Sequence, residues 1–446
     1  MSNGAGTLRS LLRLSLPIVG VNVGMVLMGA VDTLMVGRLS PEALAAVAIG
    51  NVYFFALSMF GIGVLLALDP VLTQALGARD QHAAARSVQR ALVVAFLVAI
   101  PIATALLLGA PAFRFFRQPA DIVPLAGIYC DIMAVSIVPF LLFSVARQTL
   151  QALHRVGPVV WTIIVANLLN LLFNWLLIYG HFGLPAMGVA GSAWATTLSR
   201  CGMLLMVYLL ASRDFKTVLR PWHRDALERA PLLAMLRRGL PIGLQIELEM
   251  LAFSVVAMLM GTFGTVQVAG HQIALNLASL TFMVPMGVGM GATVLVGQSV
   301  GRDDVAGVRA SARSAILLGG GFMALMALVF LLLPRALASV YTNNAPVIAF
   351  AAILLPIAGV FQVFDGLQVV CIGILRGLGD TRAPMFINLL GFGVIGIGAS
   401  LTLAYRTPLG AVGLWWGLVI GLVVVAVTLM LRVRVALTRP LQRIHH

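Results

Sequence analysis

Twelve long apolar stretches follow one another along this chain and determine what it can fold into. A helix needs about 20 mostly apolar residues to cross the hydrocarbon core of a bilayer. Stretches of that length lie near residues 11–36, 48–76, 88–110, 122–146, 158–179, 187–211, 239–261, 268–298, 312–333, 346–375, 384–405 and 409–431. Since 61% of the residues are hydrophobic and only 10% are charged, the chain lacks the polar side chains that a soluble domain needs on its surface. The sequence therefore predicts an all-α polytopic membrane protein with twelve transmembrane helices.

The first and second halves of the chain resemble each other at one constant offset of 224 residues. Charged, amide, proline and glycine residues match at this offset, among them Arg13 with Arg237, Pro17 with Pro241, Gly37 with Gly261, Gln74 with Gln298, and Asp80 with Asp304. A fixed offset indicates an internal duplication. Because each copy holds six spans, both copies enter the membrane from the same side, which is a parallel repeat. We expect two pseudo-symmetric six-helix bundles, residues 1–211 and 239–446, joined by a cytoplasmic linker at 212–238.

The basic residues indicate how the chain is oriented in the membrane. If both termini are placed in the cytoplasm, the outer loops hold few arginines: Arg38, Arg114, Arg117, Arg335 and Arg406. Apart from Arg200, which lies within a span, the remaining basic residues then fall inside, as the positive-inside rule requires. This asymmetry and attraction to anionic lipid headgroups explain the formal charge of +14 without a nucleic-acid partner. Lys216 is the single lysine beside 28 arginines, a bias typical of GC-rich bacterial genomes. We expect a multi-pass protein of the bacterial inner membrane with both termini cytoplasmic.

Among the acidic residues inside predicted spans, Asp32, Glu249 and Asp365 are the candidate coupling residues, since a carboxylate at the centre of a span costs about 2.5 to 3.5 kcal/mol. Glu249 and Asp365 each stand 11 residues from a basic residue at the predicted cytoplasmic edge, and both are therefore about 16 Å deep. At equal depth they could share one Na⁺ or hold a proton. The alternative is that each carboxylate pairs with a basic group or with backbone and only locks two helices together. Asp32 is predicted to lie about 28 Å from the same edge, in the outer half of the bilayer.

Two asparagines of the fifth span are candidate partners for Asp32. Asn170 and Asn174 are four residues apart, so they share one face of a helix, and their predicted depth is close to that of Asp32. The duplication makes the acids asymmetric, because Val256 stands at the position equivalent to Asp32, and Met25 at the position equivalent to Glu249. We therefore expect the buried acids of the two halves to have different roles, with one acid in the outer half of the bilayer in the first copy and two at mid-depth in the second.

A second group of residues could line a cleft for greasy, flat cations, since aromatic faces and methionines suit such ligands. These candidates are Glu247, Phe253, Gln272, Met283, Met286 and Phe361. Packing or lipid contact is the alternative interpretation for each aromatic residue and methionine. Arg200 and His271 also lie within spans, where helix–helix hydrogen bonding and substrate contact are equally open. The glycine runs at 287–291 and 391–398 indicate close helix approach or bending.

The sequence contains no nucleotide-binding loop, no zinc-protease motif and no nucleophile elbow. We therefore expect a protein that is not an enzyme, has no cofactor and is not driven directly by ATP.

Several segments together resemble the multidrug and toxic compound extrusion (MATE) family, and in particular its bacterial NorM-like branch. They are Leu16-Pro17, Val31-Asp32-Thr33-Leu34-Met35-Val36-Gly37, Leu44-Ala45-Ala46-Val47-Ala48, Leu240-Pro241-Ile242-Gly243, Ala269-Gly270-His271-Gln272-Ile273-Ala274, Phe361-Gln362-Val363-Phe364-Asp365 and Leu375-Arg376-Gly377-Leu378-Gly379-Asp380. The resemblance extends over nearly the whole chain.

The resemblance implies the fold of that superfamily, the MATE/MOP-type fold, and a monomer that exports organic cations such as dyes and fluoroquinolone-like drugs. It implies that the export is driven by inward Na⁺ or H⁺, with Glu249 and Asp365 as the second-half cation-binding acids and Asp32 as the first-span acid. Some members carry a tyrosine one turn before the second-half aspartate, whereas this chain has Phe361. A lipid-linked oligosaccharide flippase of the same superfamily is the alternative, and it would be expected to carry basic groups in a central cavity.

Overall fold

The computed structural model describes residues 2–444, with side chains described for residues 6–444. Its α-helices are α1 (Ser2–Val36), α2 (Pro41–Leu65), α3 (Leu68–Gly77), α4 (Gln81–Leu107), α5 (Gly109–Phe115), α6 (Val123–Ala152), α7 (Gly157–Tyr179), α8 (Gly188–Leu210), α9 (Ser212–Leu219), α10 (Arg229–Met260), α11 (Thr265–Gly301), α12 (Val305–Leu332), α13 (Pro334–Ser339), α14 (Ala345–Gly377), α15 (Arg382–Asn388), α16 (Ile397–Tyr405) and α17 (Ala411–Thr438). Two short 3₁₀ helices lie at Arg224–Leu227 and Gly261–Phe263, and a π-helix lies at Leu389–Gly396.

Twelve helical segments within the described residues are long and apolar enough to cross a membrane. Nine are single α-helices, and three combine neighbouring elements: Pro41–Gly77, Arg229–Phe263 and Arg382–Tyr405. The predicted all-α fold with twelve transmembrane helices is therefore confirmed. The seventh span begins about ten residues earlier than expected, because the stretch from Arg229 to Arg238, with its three arginines, already belongs to α10.

The two copies of the second span differ where a proline interrupts one of them. The helix from Pro41 pauses at Leu66 and resumes as α3, in which Pro70 is the third residue. Proline has no N–H to donate to the carbonyl four residues earlier, so the helix cannot run on smoothly through this position. The equivalent position in the second half is Val294, and α11 continues unbroken through it. One substitution thus makes the duplicated helices different.

The described chain divides into two compact units whose boundaries fall inside helices. The carboxy-terminal unit contains the chain up to Val19, Gly77–Arg79 and the chain from Leu244 onward, and the amino-terminal unit contains Gly20–Leu76 and Asp80–Gly243. Both α1 and α10 are therefore shared between units. Each boundary lies two residues after a proline, Pro17 in α1 and Pro241 in α10, where the helix has lost one backbone hydrogen bond. Residues 1, 445 and 446 of the predicted bundles lie outside the described residues.

Glycines allow helices to approach closely within the carboxy-terminal unit. A Cβ on Gly373 of α14 would overlap the backbone of Gly289 in α11, and the Thr293 hydroxyl donates to the Gly373 carbonyl at 2.9 Å. The predicted approach at the glycine run of 287–291 is thus confirmed. The second run lies in and beside the π-helix, where a Cβ on Gly396 would come within 3.5 Å of Gly421 in α17.

The segment between α8 and α10 is held against α4 by the side chain of Gln89. Its amide nitrogen donates to the carbonyls of Val218 and Pro221, both at 3.1 Å, and its oxygen accepts from the His223 N–H at 2.9 Å. An ion pair between Arg86 and Asp225, at 3.3 Å, adds a fourth polar contact. This part of the predicted linker is therefore packed against the amino-terminal unit rather than solvated along its length.

Candidate functional site

Asp32 of α1 lies at the centre of a hydrogen-bonded group inside the amino-terminal unit. The amide nitrogens of Asn174 and Asn170 donate to Asp32 Oδ1, at 2.6 and 3.1 Å. The Thr196 hydroxyl of α8 donates to Asp32 Oδ2 at 2.7 Å. Asp32 is 5% exposed, and both asparagines are fully buried. The carboxylate therefore has three donors in place of water, which reduces the cost of burying its charge.

The sequence brings these groups together through helix periodicity. Asn170 and Asn174 are separated by one turn of α7, so their amides lie one above the other, and Asn174 also donates to Asn170 Oδ1 at 3.2 Å. The structure places both asparagines against Asp32, as their depth and spacing suggested. Thr196 is a participant that the sequence reasoning missed. A hydroxyl inside a span, in the helix that follows the asparagines, was the available signal.

Arg200 lies one turn beyond Thr196 on α8, close to this group. Its guanidinium carbon is 4.1 Å from the centroid of the Phe54 ring and 4.6 Å from that of Phe140. Its Nη1 donates to the Ser136 hydroxyl at 2.8 Å. The guanidinium is within electrostatic range of Asp32. For Arg200 the structure thus shows a helix–helix contact of the cation–π kind.

Glu249 and Asp365 occupy the interior of the carboxy-terminal unit, on α10 and α14. Asp365 is 8% exposed, and Glu249 is half-buried. Each lies within electrostatic range of the other. Within residues 6–444, neither carboxylate forms an ion pair. In the part of the chain that the structure describes, the two acids thus neighbour each other and neither is paired with a basic side chain.

Gln368 donates a hydrogen bond to one of these two acids and follows the other by one turn, and the sequence reasoning missed it. Its amide nitrogen donates to Glu249 Oε2 at 3.2 Å, while the residue itself stands one turn after Asp365 on α14. Gln368 is 1% exposed, and its Oε1 is buried with no hydrogen-bond partner among the described residues. A polar residue one turn from an intramembrane acid was the signal that could have identified it.

An all-oxygen site for one monovalent cation is chemically reasonable here. Carboxylate and amide oxygens suit hard cations such as Na⁺, and the orphaned Gln368 Oε1 is a free acceptor beside Glu249. A larger cluster is absent from the described part of the chain, where no three His, Cys, Asp or Glu residues meet as a metal site. Phe361 contributes no oxygen to this site.

The candidate cleft residues occupy several different environments. Phe361 is 3% exposed and packs edge-on against Phe253, with ring centroids 5.8 Å apart. Glu247, Met283 and Met286 are half-buried, whereas Gln272 is exposed.

Phe361 also packs edge-on against Trp415, with ring centroids 5.9 Å apart. The Trp415 indole donates to His271 Nδ1 at 3.1 Å, so His271 takes part in a helix–helix hydrogen bond. The structure thus joins Phe253 and Phe361 in an aromatic cluster, and it does not collect all six cleft residues into one site.

Comparison with known proteins agrees with this architecture. The MatE family model matches residues 17–176 and 241–402, once in each half. A probable multidrug resistance protein NorM of Mesorhizobium japonicum is 38% identical over 438 residues, which is 95% of this chain and 93% of that protein. A protein of the same name from Rhizobium meliloti is 35% identical over 431 residues, covering 94% of this chain and 92% of its own.

Among solved structures, the Vibrio cholerae MATE transporter VcmN in its bent form superimposes with a TM-score of 0.89. The match covers 98% of both chains at 19% sequence identity, so it supports the fold alone. The two-fold occurrence of the family model, the NorM relatives and the twelve-span fold lead to one assignment. This chain belongs to the MatE family of membrane transporters, in its NorM-like branch.

Proposed function

We propose that this protein is a secondary active multidrug efflux antiporter, which exports organic cations in exchange for inward Na⁺ or H⁺. The single observation that carries the proposal is the pair Glu249 and Asp365, two neighbouring intramembrane acids that form no ion pair within the described residues. Ionisable residues placed so deeply in a transporter generally mark a substrate or ion pathway. Relatives named as multidrug resistance proteins support the class of substrate.

The acid pair would bind the coupling cation and the drug in turn. An entering cation neutralises Glu249 and Asp365, which removes the attraction for a positively charged drug and favours its release outside. When the site opens inward, the cation leaves and the exposed charges attract the next drug molecule. Each ligand shifts the protein only because it binds one state better than the other.

The aromatic cluster next to the acids supports a preference for flat organic cations. Phe253 is one turn after Glu249 on α10, and Phe361 is one turn before Asp365 on α14. An aromatic face beside a carboxylate attracts a delocalised cation through both its quadrupole and its apolar surface. We propose that the drug rests against these rings while its charge faces the carboxylates.

We further propose that the protein acts as a monomer in the bacterial inner membrane with both termini in the cytoplasm. The distribution of arginines, which places few basic residues in the predicted outer loops, supports the orientation of the termini.

The test uses purified protein in liposomes loaded with ethidium or norfloxacin. Drug movement is followed by fluorescence under an imposed Na⁺ gradient and, in separate vesicles, under an imposed proton gradient. We expect transport under one of the two gradients, and empty liposomes serve as the control. Transport driven by Na⁺ alone would make the acid pair a metal-ion site, whereas transport driven only by protons would make it a site of protonation. No transport under either gradient would contradict drug antiport and favour a lipid-linked substrate.

A further inference from the structure

Four helices of the amino-terminal unit leave a narrow apolar groove between them. The helices are α4, α6, α8 and α9, and the groove has a volume of about 110 Å³. Its floor consists of buried side chains, namely Val88, Val145, Thr149, Val207 and Phe215. The Thr149 hydroxyl donates to the Val145 carbonyl of its own helix at 2.8 Å, so this polar group is already satisfied. The floor therefore suits an apolar ligand.

The groove opens on a surface that carries large exposed apolar side chains. At its edge, Leu92 and Leu204 are half-buried and Tyr208 is 42% exposed. Phe96 stands one turn beyond Leu92 on α4, Leu205 follows Leu204 on α8, and both are exposed. On a membrane-spanning helix such side chains face lipid tails, which are as apolar as leucine. The groove can thus be entered from the hydrocarbon region of the bilayer.

The helix α9 contributes to the groove and is amphipathic. Its Phe215 ring stacks on Tyr208, with ring centroids 6.1 Å apart, and Val218 is buried one turn later. Arg213 and Lys216 are exposed, and because they are three residues apart they share the other face of the helix. One face of α9 therefore packs on the unit, and the opposite face carries positive charge.

The charge beside the groove remains positive when the neighbouring groups are included. Arg220 follows α9 directly and is exposed as well. Asp214 is the only acid in the α9 sequence, and it forms an ion pair with Arg155 at 3.4 Å. It therefore does not neutralise the three bases. A short amphipathic segment with aromatic residues on one face and bases on the other is typical of contact with an anionic membrane surface.

The duplicated half has no counterpart of α9. After α17 the described chain, residues 439–444, continues without a helix. The basic helix beside the groove is thus a property of the first half alone, and it does not follow from the shared scaffold.

The size of the groove selects the kind of ligand. Pockets that hold drug-sized molecules have volumes of roughly 300–1,000 Å³. A groove of about 110 Å³ is too small for such a molecule but has room for part of an unbranched hydrocarbon chain. A phospholipid combines such a chain with a phosphate, and the anionic lipids of the cytoplasmic leaflet attract basic residues near the membrane surface. In the predicted orientation α9 lies on that side.

We propose that this groove binds an acyl chain of an anionic phospholipid, whose headgroup lies against Arg213, Lys216 and Arg220. The bound chain packs between α9 and the spans. It therefore stabilises the attachment of α9 to the amino-terminal unit, in addition to the polar contacts that Gln89 makes with the residues after α9. The inference is independent of the proposed antiport, because it concerns a lipid and no transported ion.

Native mass spectrometry of the detergent-purified protein can measure the binding of the first lipid. The probes are dioleoylphosphatidylglycerol and dioleoylphosphatidylcholine, which have identical chains and differ in headgroup charge. We expect wild-type protein to bind the anionic lipid at least about tenfold more tightly. The variant Arg213→Gln/Lys216→Gln should reduce this preference to less than about threefold, since two of the three bases are gone. Because both residues are exposed, the variant should fold normally.

The matched control removes two exposed bases from the end of α17, Arg434→Gln/Arg439→Gln, and should keep the wild-type preference. Equal binding of the two lipids by wild-type protein would overturn the proposal. A preference that is unchanged in Arg213→Gln/Lys216→Gln, or lost equally in the control, would also overturn it.

A substitution in the groove tests the position of the chain. Ala146 lines the groove on α6, so Ala146→Leu would fill part of it. We expect this variant to bind both lipids at least about fivefold more weakly and to keep the preference for the anionic one. Undiminished lipid binding by folded Ala146→Leu, checked by its melting temperature, would contradict the assignment of the chain to the groove.

Glycerol phosphate, which has the headgroup without the chains, distinguishes a lipid from free phosphate. We expect it not to displace dioleoylphosphatidylglycerol, because the chain supplies much of the binding. Displacement would indicate a site for free phosphate and overturn the lipid assignment. These measurements need no ion gradient, so their outcome does not depend on whether the protein is an antiporter.

Discussion

At the scale of single residues, Asp32, Glu249 and Asp365 are the same kind of group in three different situations. Asp32 accepts from two asparagines and a threonine, and it has Arg200 within electrostatic range. Glu249 accepts from Gln368, and Asp365 lies beside it. Because the surroundings decide what a buried carboxylate can bind, the presence of an acid inside a span does not by itself define its role.

Neutral variants of the second acid pair test its role directly. We expect Glu249→Gln and Asp365→Asn each to lower the rate of drug export at least about tenfold, which corresponds to roughly 1.4 kcal/mol of lost transition-state or binding energy. The reason is that each change removes half of the negative charge that attracts the cation. Initial rates of ethidium efflux from liposomes provide the measurement.

Asp131→Asn is the matched control, since Asp131 is an exposed acid on α6 and its loss should leave export unchanged. If both acid-pair variants reached the membrane in normal amounts and exported at wild-type rates, the acid pair would not be the exchange site.

At the scale of helices, the pattern of glycine and proline explains most departures from regular α-structure. Pro70 interrupts the second span, while Val294 lets its duplicate continue. The π-helix Leu389–Gly396 holds three glycines and packs against α17. Small residues give backbones room to approach in a membrane, where packing replaces the hydrophobic driving force.

A pair of glycine substitutions in neighbouring helices tests this packing. A Cβ on Gly417 of α17 would overlap the backbone of Ser400, whereas nothing lies within 4 Å of a Cβ on Gly398 of α16. We expect Gly417→Ala to destabilise the protein by about 1 to 3 kcal/mol, the usual cost of overpacking. Gly398→Ala should be neutral or slightly stabilising, by at most about 1 kcal/mol. Thermal unfolding of the two variants in detergent would reveal the difference, and equal melting temperatures would show that this helix pair is not closely packed.

At the scale of the whole molecule, the two halves share their helical scaffold through the duplication and differ in their buried charges. Each copy contributes six spans and one match to the MatE family model. The amino-terminal unit places arginines near its buried acids, and the carboxy-terminal unit keeps an acid pair without them. Duplication thus supplied two similar scaffolds, and later substitutions gave them different electrostatic properties.

The predicted orientation of the molecule can be tested by labelling single cysteines. Cys130 and Cys371 are buried, so replacing the exposed Cys201 with serine gives a background of low reactivity. Arg117→Cys in a predicted outer loop should react with a membrane-impermeant maleimide in intact cells, whereas Lys216→Cys in α9 should react only after permeabilisation. The reverse pattern would place the termini outside and overturn the topology that the arginines predict.

The number of spans, the duplication and the three buried acids could be determined from the sequence, because apolar length and the cost of a buried charge are local properties of a chain. The neighbours of those acids could not. Thr196 is 164 residues from Asp32, and Gln368 is 119 residues from Glu249, so their contacts depend on how each helix is rotated and shifted against the others. Helix propensity does not specify that rotation, which is set by side-chain packing across the whole bundle. For the same reason only the tertiary structure placed the unit boundaries inside α1 and α10, and set Arg200 against two aromatic rings near Asp32.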